Sequence, residues 1–229
     1  MTSVFGNMKN ATFISKSSSR SIRLYCTITC ERGRMRYNRR SEKGGRLVNI
    51  VLIAGSNRPD ATSAKLAACV GKRLQGLGAS VELFELYRRP IPFYEPDYIP
   101  GGTAADANLA ELLRLAEGAD AFGFSTPEYH GGPTGLMKNA IDWLEKRHVS
   151  GKAALAMATA GGAVAVSTLQ QLQTAVRYVH GINCPEWISL GGQLRAFADG
   201  EPTHPDAAKR IDHVARYFYD FAKKQAGVQ

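Results

Sequence analysis

Three short stretches of this chain combine residue types that can do chemistry. The first, Gly55-Ser56-Asn57-Arg58-Pro59-Asp60-Ala61-Thr62-Ser63, sets hydroxyls and a guanidinium where a helix begins. Free amides at a helix N-terminus attract anions, and Ser and Arg add neutral and charged donors. Together they form a phosphate cradle. Plain capping of the helix by Thr62 or Ser63, beside a solvated Arg, is the simpler alternative. The stretch is not GxGxxG, which weakens a dinucleotide-binding Rossmann motif, and not GxxxxGK[ST], which excludes a P-loop.

The second stretch is Ser125-Thr126-Pro127-Glu128-Tyr129-His130-Gly131-Gly132-Pro133-Thr134-Gly135. Its prolines stiffen the backbone and its glycines permit close approach to a ligand. Tyr129 either stacks on a flat ring or packs at a rim. His130 is a candidate catalytic group or a structural hydrogen-bonder. Glu128 serves equally as a loop brace, and Asp142 further on holds a helix turn or a neighbouring loop. The third stretch is Thr159-Ala160-Gly161-Gly162-Ala163-Val164-Ala165-Val166. There Gly161-Gly162 either turns the chain or brings backbone N–H groups to a ligand edge.

The elements around these stretches give them a common place. Val48–Ala54 is a nearly continuous apolar run, as expected of a strand buried on both faces of a parallel sheet. Leu66, Val70, Leu74 and Leu77 recur at helical spacing. Strands are expected at Ser80–Leu86, Ala119–Ser125, Lys152–Ala158 and within Cys184–Leu190. Helices are expected around Leu109–Ala116, Leu136–Leu144, Leu169–Val179 and His204–Ala226, the last with Ile211, Val214, Phe218 and Phe221 inward. This alternation predicts an α/β fold: a flavodoxin-like three-layer sandwich with a five-stranded parallel sheet in order 2-1-3-4-5. Ligands then bind beyond the C-terminal strand ends at the switch point, where all three stretches fall.

The net charge of +9 sits entirely in residues 1–46, which hold eleven Lys or Arg against Glu31 and Glu42. Residues 47–229 carry eighteen basic and eighteen acidic residues, so no nucleic-acid-binding face is expected. No apolar run reaches the length of a membrane span. Cys26, Cys30, Cys69 and Cys184 show no metal-ligand spacing and read as free structural thiols of a reducing compartment, with Cys69 in the core. No metal site is expected.

Residues 1–46 lack sustained apolar periodicity and are expected to be a disordered basic extension, followed by one domain over 47–229. Three readings of the extension stand open. It is an organellar transit peptide, a functional basic arm, or an over-extended start, since Glu42-Lys43-Gly44-Gly45 can be encoded by a purine run like a ribosome-binding site. The expected location is the cytoplasm, or an organelle if the extension is a transit peptide.

Pro127-Glu-Tyr-His-Gly-Gly-Pro-Thr-Gly-Leu-Met-Lys-Asn-Ala-Ile-Asp-Trp-Leu144, with Gly55-Ser56-x-Arg58, Ser63, Lys65-Leu66 and Gly161-Gly162, resembles the NADPH-dependent FMN reductase family. The likeness is to its azobenzene-, quinone- and chromate-reductase members and spans roughly residues 47–229. It implies FMN as cofactor and NADPH or NADH as electron donor. It also implies that Ser56, Arg58 and Ser63 hold the FMN phosphate. Pro127, Glu128, Tyr129 and His130 would line the isoalloxazine, largely through backbone groups, with Thr159, Gly161 and Gly162 on the other side. The family often has Asn where this chain has His130, and Leu where it has Met137.

The implied activity is two-electron transfer from nicotinamide through FMN to a quinone, azo, metal-ion or flavin acceptor, in a homodimer or homotetramer. Tyr129 and His130 are the candidate proton donors to a quinone or azo product. The alternatives are a flavodoxin-type electron carrier and a flavin-binding sensor without turnover. The absent cysteine cluster disfavours an iron–sulfur flavoprotein.

Overall fold

The computed structural model describes residues 10–16, 23–31, 34–40 and 46–228. The chain divides into two units, residues 1–47 with 228–229, and residues 48–227.

In the first unit Asn10–Lys16, Arg23–Glu31 and Arg34–Arg40 pair as an antiparallel three-stranded sheet. The expectation of an extension without regular structure is corrected for these residues. Arg23–Glu31 carries Tyr25, Thr27, Ile28 and Thr29, β-branched and aromatic types that favour strands. The basic composition outweighed that short pattern in the sequence reading. Residues 1–9, 17–22, 32–33 and 41–45 lie outside the described residues.

The second unit is the expected sandwich. Its strands are β1 (Asn49–Ala54), β2 (Ser80–Glu85), β3 (Ala121–Tyr129), β4 (Ala153–Ala160) and β5 (Ile188–Gly191). They lie in the order 2-1-3-4-5, all parallel. Its main helices are α1 (Thr62–Gly76), α2 (Ala104–Gly118), α3 (Gly135–Asp142), α4 (Val166–Tyr178) and α5 (Pro205–Gln225).

Every residue of β1 and β4 is buried, which is why these strands read as unbroken apolar runs. Alternate β1 side chains serve the two faces. Val51 and Ile53 join a core with Phe122 and Phe124 of β3 and with Leu112, Met137, Leu169 and Leu172 from α2, α3 and α4. Leu52 points the other way, close enough that a Cβ on Gly71 of α1 would lie 3.2 Å from its Cδ1. On that face α1 packs against α5, whose Ile211, Val214 and Phe218 are fully buried. Phe221 is only half-buried, a correction to its inward placement.

Several strand boundaries differ from expectation, three of them with consequences for the site or a clear cause. β3 runs on to Tyr129 and folds back, with Glu128 opposite Pro133 and Tyr129 opposite Gly132. Pro127, Glu128 and Tyr129 thus sit on a hairpin arm and not in an irregular loop. β4 runs two residues further than expected, to Ala160. The fifth strand starts later, at Ile188, because Pro185 supplies no backbone donor. A two-residue strand, Ile182–Asn183, pairs with β4 just before it, and the Cys184 N–H donates to the Ala154 carbonyl at 2.7 Å.

The Pro- and Tyr-rich connection 87–103 crosses the outside of α3. Asn139 Nδ2 and Trp143 Nε1 both donate to the Pro92 carbonyl at 2.9 Å, and the Tyr94 N–H donates to Asn139 Oδ1 at 2.7 Å. Tyr94 and Tyr98 meet the Trp143 ring edge-on at 5.1 and 5.3 Å.

Candidate functional site

The sheet register brings the three stretches side by side. Ala54 pairs with Ser125, Pro127 with Thr159, and Ala160 with Gly191. Beyond these pairs the chain leaves the sheet in the first loop, the hairpin and the Gly-Gly loop.

The first loop is pressed onto α3. A Cβ on Gly55 would lie 2.6 Å from Met137 Cβ and 3.1 Å from its Cα, so only glycine lets the strand end approach this closely. The Gly55 N–H donates to the Ser125 carbonyl at 2.8 Å, and the Thr134 hydroxyl donates to the Gly55 carbonyl. The same Thr134 oxygen accepts from the Met137 N–H at 3.1 Å and so caps α3. Sequence reasoning passed over Thr134. Its signal was a threonine just ahead of a helical apolar pattern.

The donor set of the first loop suits an anion. α1 starts after Ala61 with no side-chain cap and no acid in its first turn. Its leading amides therefore lack the side-chain acceptor that Thr103 gives α2 and Thr134 gives α3. Neither Thr62 nor Ser63 caps α1. Ser63 is wholly buried and its hydroxyl has no hydrogen-bond partner among the described residues. Its carbonyl is taken by the Ser125 hydroxyl at 2.7 Å. Ser56 is buried, and its oxygen accepts from the Arg58 N–H at 3.2 Å, which fixes the turn and leaves the Ser56 O–H to donate. Arg58 is exposed. Asp60, the one acid of the loop, is exposed and occupies a left-handed turn position at φ 50°. A buried orphan hydroxyl costs roughly 1–3 kcal/mol unless something completes it. A phosphate group fits these residues.

The hairpin is held from both sides. On the first-loop side the Tyr129 hydroxyl donates to Asn57 Oδ1 at 3.3 Å. On the α4 side the Thr168 hydroxyl donates to Glu128 Oε2 at 2.8 Å, so Glu128 is a brace. His130 and Gly131 form the two-residue tip, both at positive φ (52° and 74°). This is the turn type that matches strand twist and favours Asn-Gly. It accounts for Asn in the family where this chain has His130, whose ring is exposed. Asp142 sits away from the hairpin, paired with Lys138 at 2.6 Å one helical turn back.

The Gly-Gly loop is open. Gly161 and Gly162 have no atom within 4 Å of where a Cβ would stand. Beneath them Thr159 is buried. The Ala165 N–H donates to Ser189 Oγ at 2.9 Å, which ties the start of α4 to β5. Ser189, Ser167, Thr168 and Gln171 were not singled out from sequence, since isolated polar residues on a helix or strand carry no spacing signal.

Elsewhere, burial pushes the thiols of Cys69 and Cys184 up to about 11, which suits inert core groups. Among the described residues no cluster of three or more His, Cys, Asp or Glu could hold a metal ion, and no helix is long and apolar enough to cross a membrane.

Residues 48–194 match the family model for NADPH-dependent FMN reductase. The match takes in β1 through β5 and all three loops, and leaves α5 outside. The NADPH-dependent FMN reductase ArsH of Acidithiobacillus ferrooxidans is 27% identical over 163 residues, 69% of this chain and 66% of that protein. An FMN-dependent NADPH-azoreductase of Staphylococcus aureus is 27% identical over 140 residues, 61% of this chain and 74% of its own length. Among solved structures, FerB, a flavoenzyme NAD(P)H:(acceptor) oxidoreductase from Paracoccus denitrificans, superposes with a TM-score of 0.64. It is 25% identical, over 78% of this chain and 99% of that one. A flavodoxin from the domain Archaea, at 14% identity and a TM-score of 0.51, shares the fold. The chain belongs to the NADPH-dependent FMN reductase family, flavin-dependent oxidoreductases with FMN as cofactor and NAD(P)H as electron donor.

Proposed function

We propose that this enzyme passes two electrons from NADPH or NADH through FMN to a small-molecule acceptor: a quinone, an azo compound, a metal ion or free flavin. The observation that carries this reading is the open side of the site. Gly161 and Gly162 face empty space, and Tyr129 on the opposite rim is 39% exposed. An open face admits donor and acceptor in turn, which fits a ping-pong scheme.

In this reading Ser56, Arg58, Ser63 and the uncapped amides of α1 hold the phosphate. Pro127, Glu128, Tyr129 and His130 line the ring, chiefly by backbone, because the side chain of Glu128 is taken by Thr168. Thr159, Gly161 and Gly162 border its other side. FMN, once bound, supplies two-electron chemistry, accepting a hydride equivalent from nicotinamide and handing electrons on. The protein orients the partners and offers N–H donors where negative charge develops. The Tyr129 hydroxyl and the His130 imidazole are the exposed groups able to give a proton to a reduced quinone or azo product.

A carrier role is the weaker reading, because residues 47–229 are neutral overall whereas carriers rely on a strong charge for docking. Residues 47–229 are proposed as the catalytic domain and residues 1–46 as an appendage to it. The assembly is a homodimer or homotetramer, and two free buried thiols suit a cytoplasmic setting.

The test is to load the full chain with FMN, desalt it, and add NADPH or NADH without oxygen. Bleaching of the flavin band, reversed by a quinone or azo dye, is expected. Flavin that stays oxidised with both nucleotides would overturn the reductase reading and favour the carrier.

A further inference from the structure

Outside the three loops, two side chains of α4 converge on one backbone atom of the hairpin. The Ser167 hydroxyl and the Gln171 side-chain amide each donate to the Gly131 carbonyl at 2.7 Å. Gln171 Nε2 also lies 3.2 Å from Ser167 Oγ, so residues one helical turn apart support each other. A Cβ on Gly132 would stand 3.0 Å from Gln171 Oε1, so the same side chain walls the next residue.

The carbonyl they share needs holding. It belongs to the Gly131–Gly132 peptide, the most freely rotating unit of the hairpin. The hairpin has only two residue pairs, too few to be stable alone. His130 sits in a left-handed conformation that a residue with a Cβ adopts at a cost of about 1 kcal/mol. The two central amides of the tip, His130 N–H and Gly131 N–H, have no acceptor among the described residues. They are donors whose direction depends on how the turn is pinned. Ser167 and Gln171 are both exposed, so neither fills the core.

We propose that Ser167 and Gln171 are positioning residues for the flavin: by pinning the Gly131 carbonyl they hold the His130-Gly131 amides in one orientation beside the ring. The inference rests on the reading that this hairpin lines the isoalloxazine. Fixed N–H donors favour the more negatively charged reduced ring, so releasing the turn lowers the reduction potential as well as the affinity.

The test uses the full chain with Ser167→Ala/Gln171→Leu, and with Gln171→Glu, which keeps the shape but removes the donor. FMN affinity is read by flavin fluorescence and the midpoint potential of bound FMN by equilibration with a reference dye. Both variants are expected to bind FMN about tenfold more weakly, as the loss of one or two hydrogen bonds predicts. The midpoint should move to a more negative value while the thermal midpoint of the apoprotein barely changes. Ser167→Thr keeps a hydroxyl and should restore wild-type values. If the double variant fails to fold, Gln171→Glu carries the test alone. Arg58→Ala separates the two ideas. Weakened FMN binding in Arg58→Ala with none in the α4 variants would sink the positioning role and leave the site standing. No change in either would sink both.

Discussion

Gly191 closes β5 directly under the Gly-Gly loop. A Cβ built on it would lie 2.1 Å from the Gly162 oxygen, 2.3 Å from the Ala163 oxygen and 2.4 Å from the Ala163 carbonyl carbon. Real Cβ contacts essentially never fall below 3.0 Å, and all three atoms are backbone, so no rotamer relieves the clash. Gly191→Ala must push the exposed loop outward by about 1 Å, and a displacement of that size can cost a site up to roughly a hundredfold. The fold itself loses less. Overpacking costs about 1–3 kcal/mol, and for a chain of this length each kcal/mol lowers the thermal midpoint by roughly 2–4 °C. The expected outcome is a midpoint lower by several degrees and an FMN dissociation constant raised ten- to a hundredfold. Gly162→Ala is the contrast, because its Cβ enters open space and its φ is not left-handed. Its apoprotein should melt like wild type, so any loss of FMN binding reports a clash with the ligand alone. Fluorescence titration with FMN and a thermal melt on both variants decide the matter. A folded Gly191→Ala protein that binds FMN as wild type does would show that this loop does not border the flavin.

Three further outcomes follow from other parts of the molecule. Burial lowers the Lys152 ammonium from 10.5 to about 8, although its Nζ donates to the Ala116 carbonyl at the end of α2 at 2.9 Å. The unfolded chain then binds the proton more tightly than the folded one, so this residue makes stability rise between about pH 8 and 10.5, by on the order of 3 kcal/mol. Cys69 and Cys184, raised to about 11, act the opposite way above pH 9, so the rise is read as the difference from Lys152→Met in urea midpoints between pH 7.5 and 9. Equal slopes for both proteins would refute it. Asn139→Ala removes two of the hydrogen bonds that hold the 90–98 segment, leaving that of Trp143, and should cost about 1–3 kcal/mol with faster proteolysis there and FMN affinity retained; a loss of flavin would place Asn139 in the site. His130→Asn suits the left-handed turn position better and should retain FMN and NADPH oxidation. Abolished turnover with normal flavin content would assign the imidazole a chemical role.

The parallel sheet was legible because its central strands are buried on both faces, and burial writes itself as continuous apolar runs such as Asn49–Ala54 and Ala153–Ala160. Strand order followed from alternation and short crossovers. The hairpin at Glu128–Pro133 was harder to read. Its strands pair over two residues, so no alternation develops, and its turn is carried by His-Gly in place of the expected Asn-Gly. The three loops proposed to hold the ligand stood out by composition. The side chains that hold them were not, because Ser167, Thr168, Gln171 and Ser189 act through single hydrogen bonds across distant elements. The strands at 10–40 were missed for the converse reason. Their charged composition masked a run of good strand formers.

The long sequence block from Pro127 to Leu144 looks like one functional motif, yet its two halves do different physical work. Pro127–Thr134 builds the hairpin, and Thr134 ties it to the first loop while starting α3. From Met137 on, the side chains are engaged within the protein itself. Met137 is the floor against which Gly55 is pressed, Lys138 pairs with Asp142, and Asn139 and Trp143 hold the crossing segment 90–98. The second half matters to the first through α3. If Met137 or Thr134 moves, Gly55 moves with it, and the cradle of Ser56, Arg58 and Ser63 shifts against the hairpin. Substitutions in the second half should therefore weaken FMN binding in proportion to how far they displace α3, and those that leave α3 in place should change stability alone.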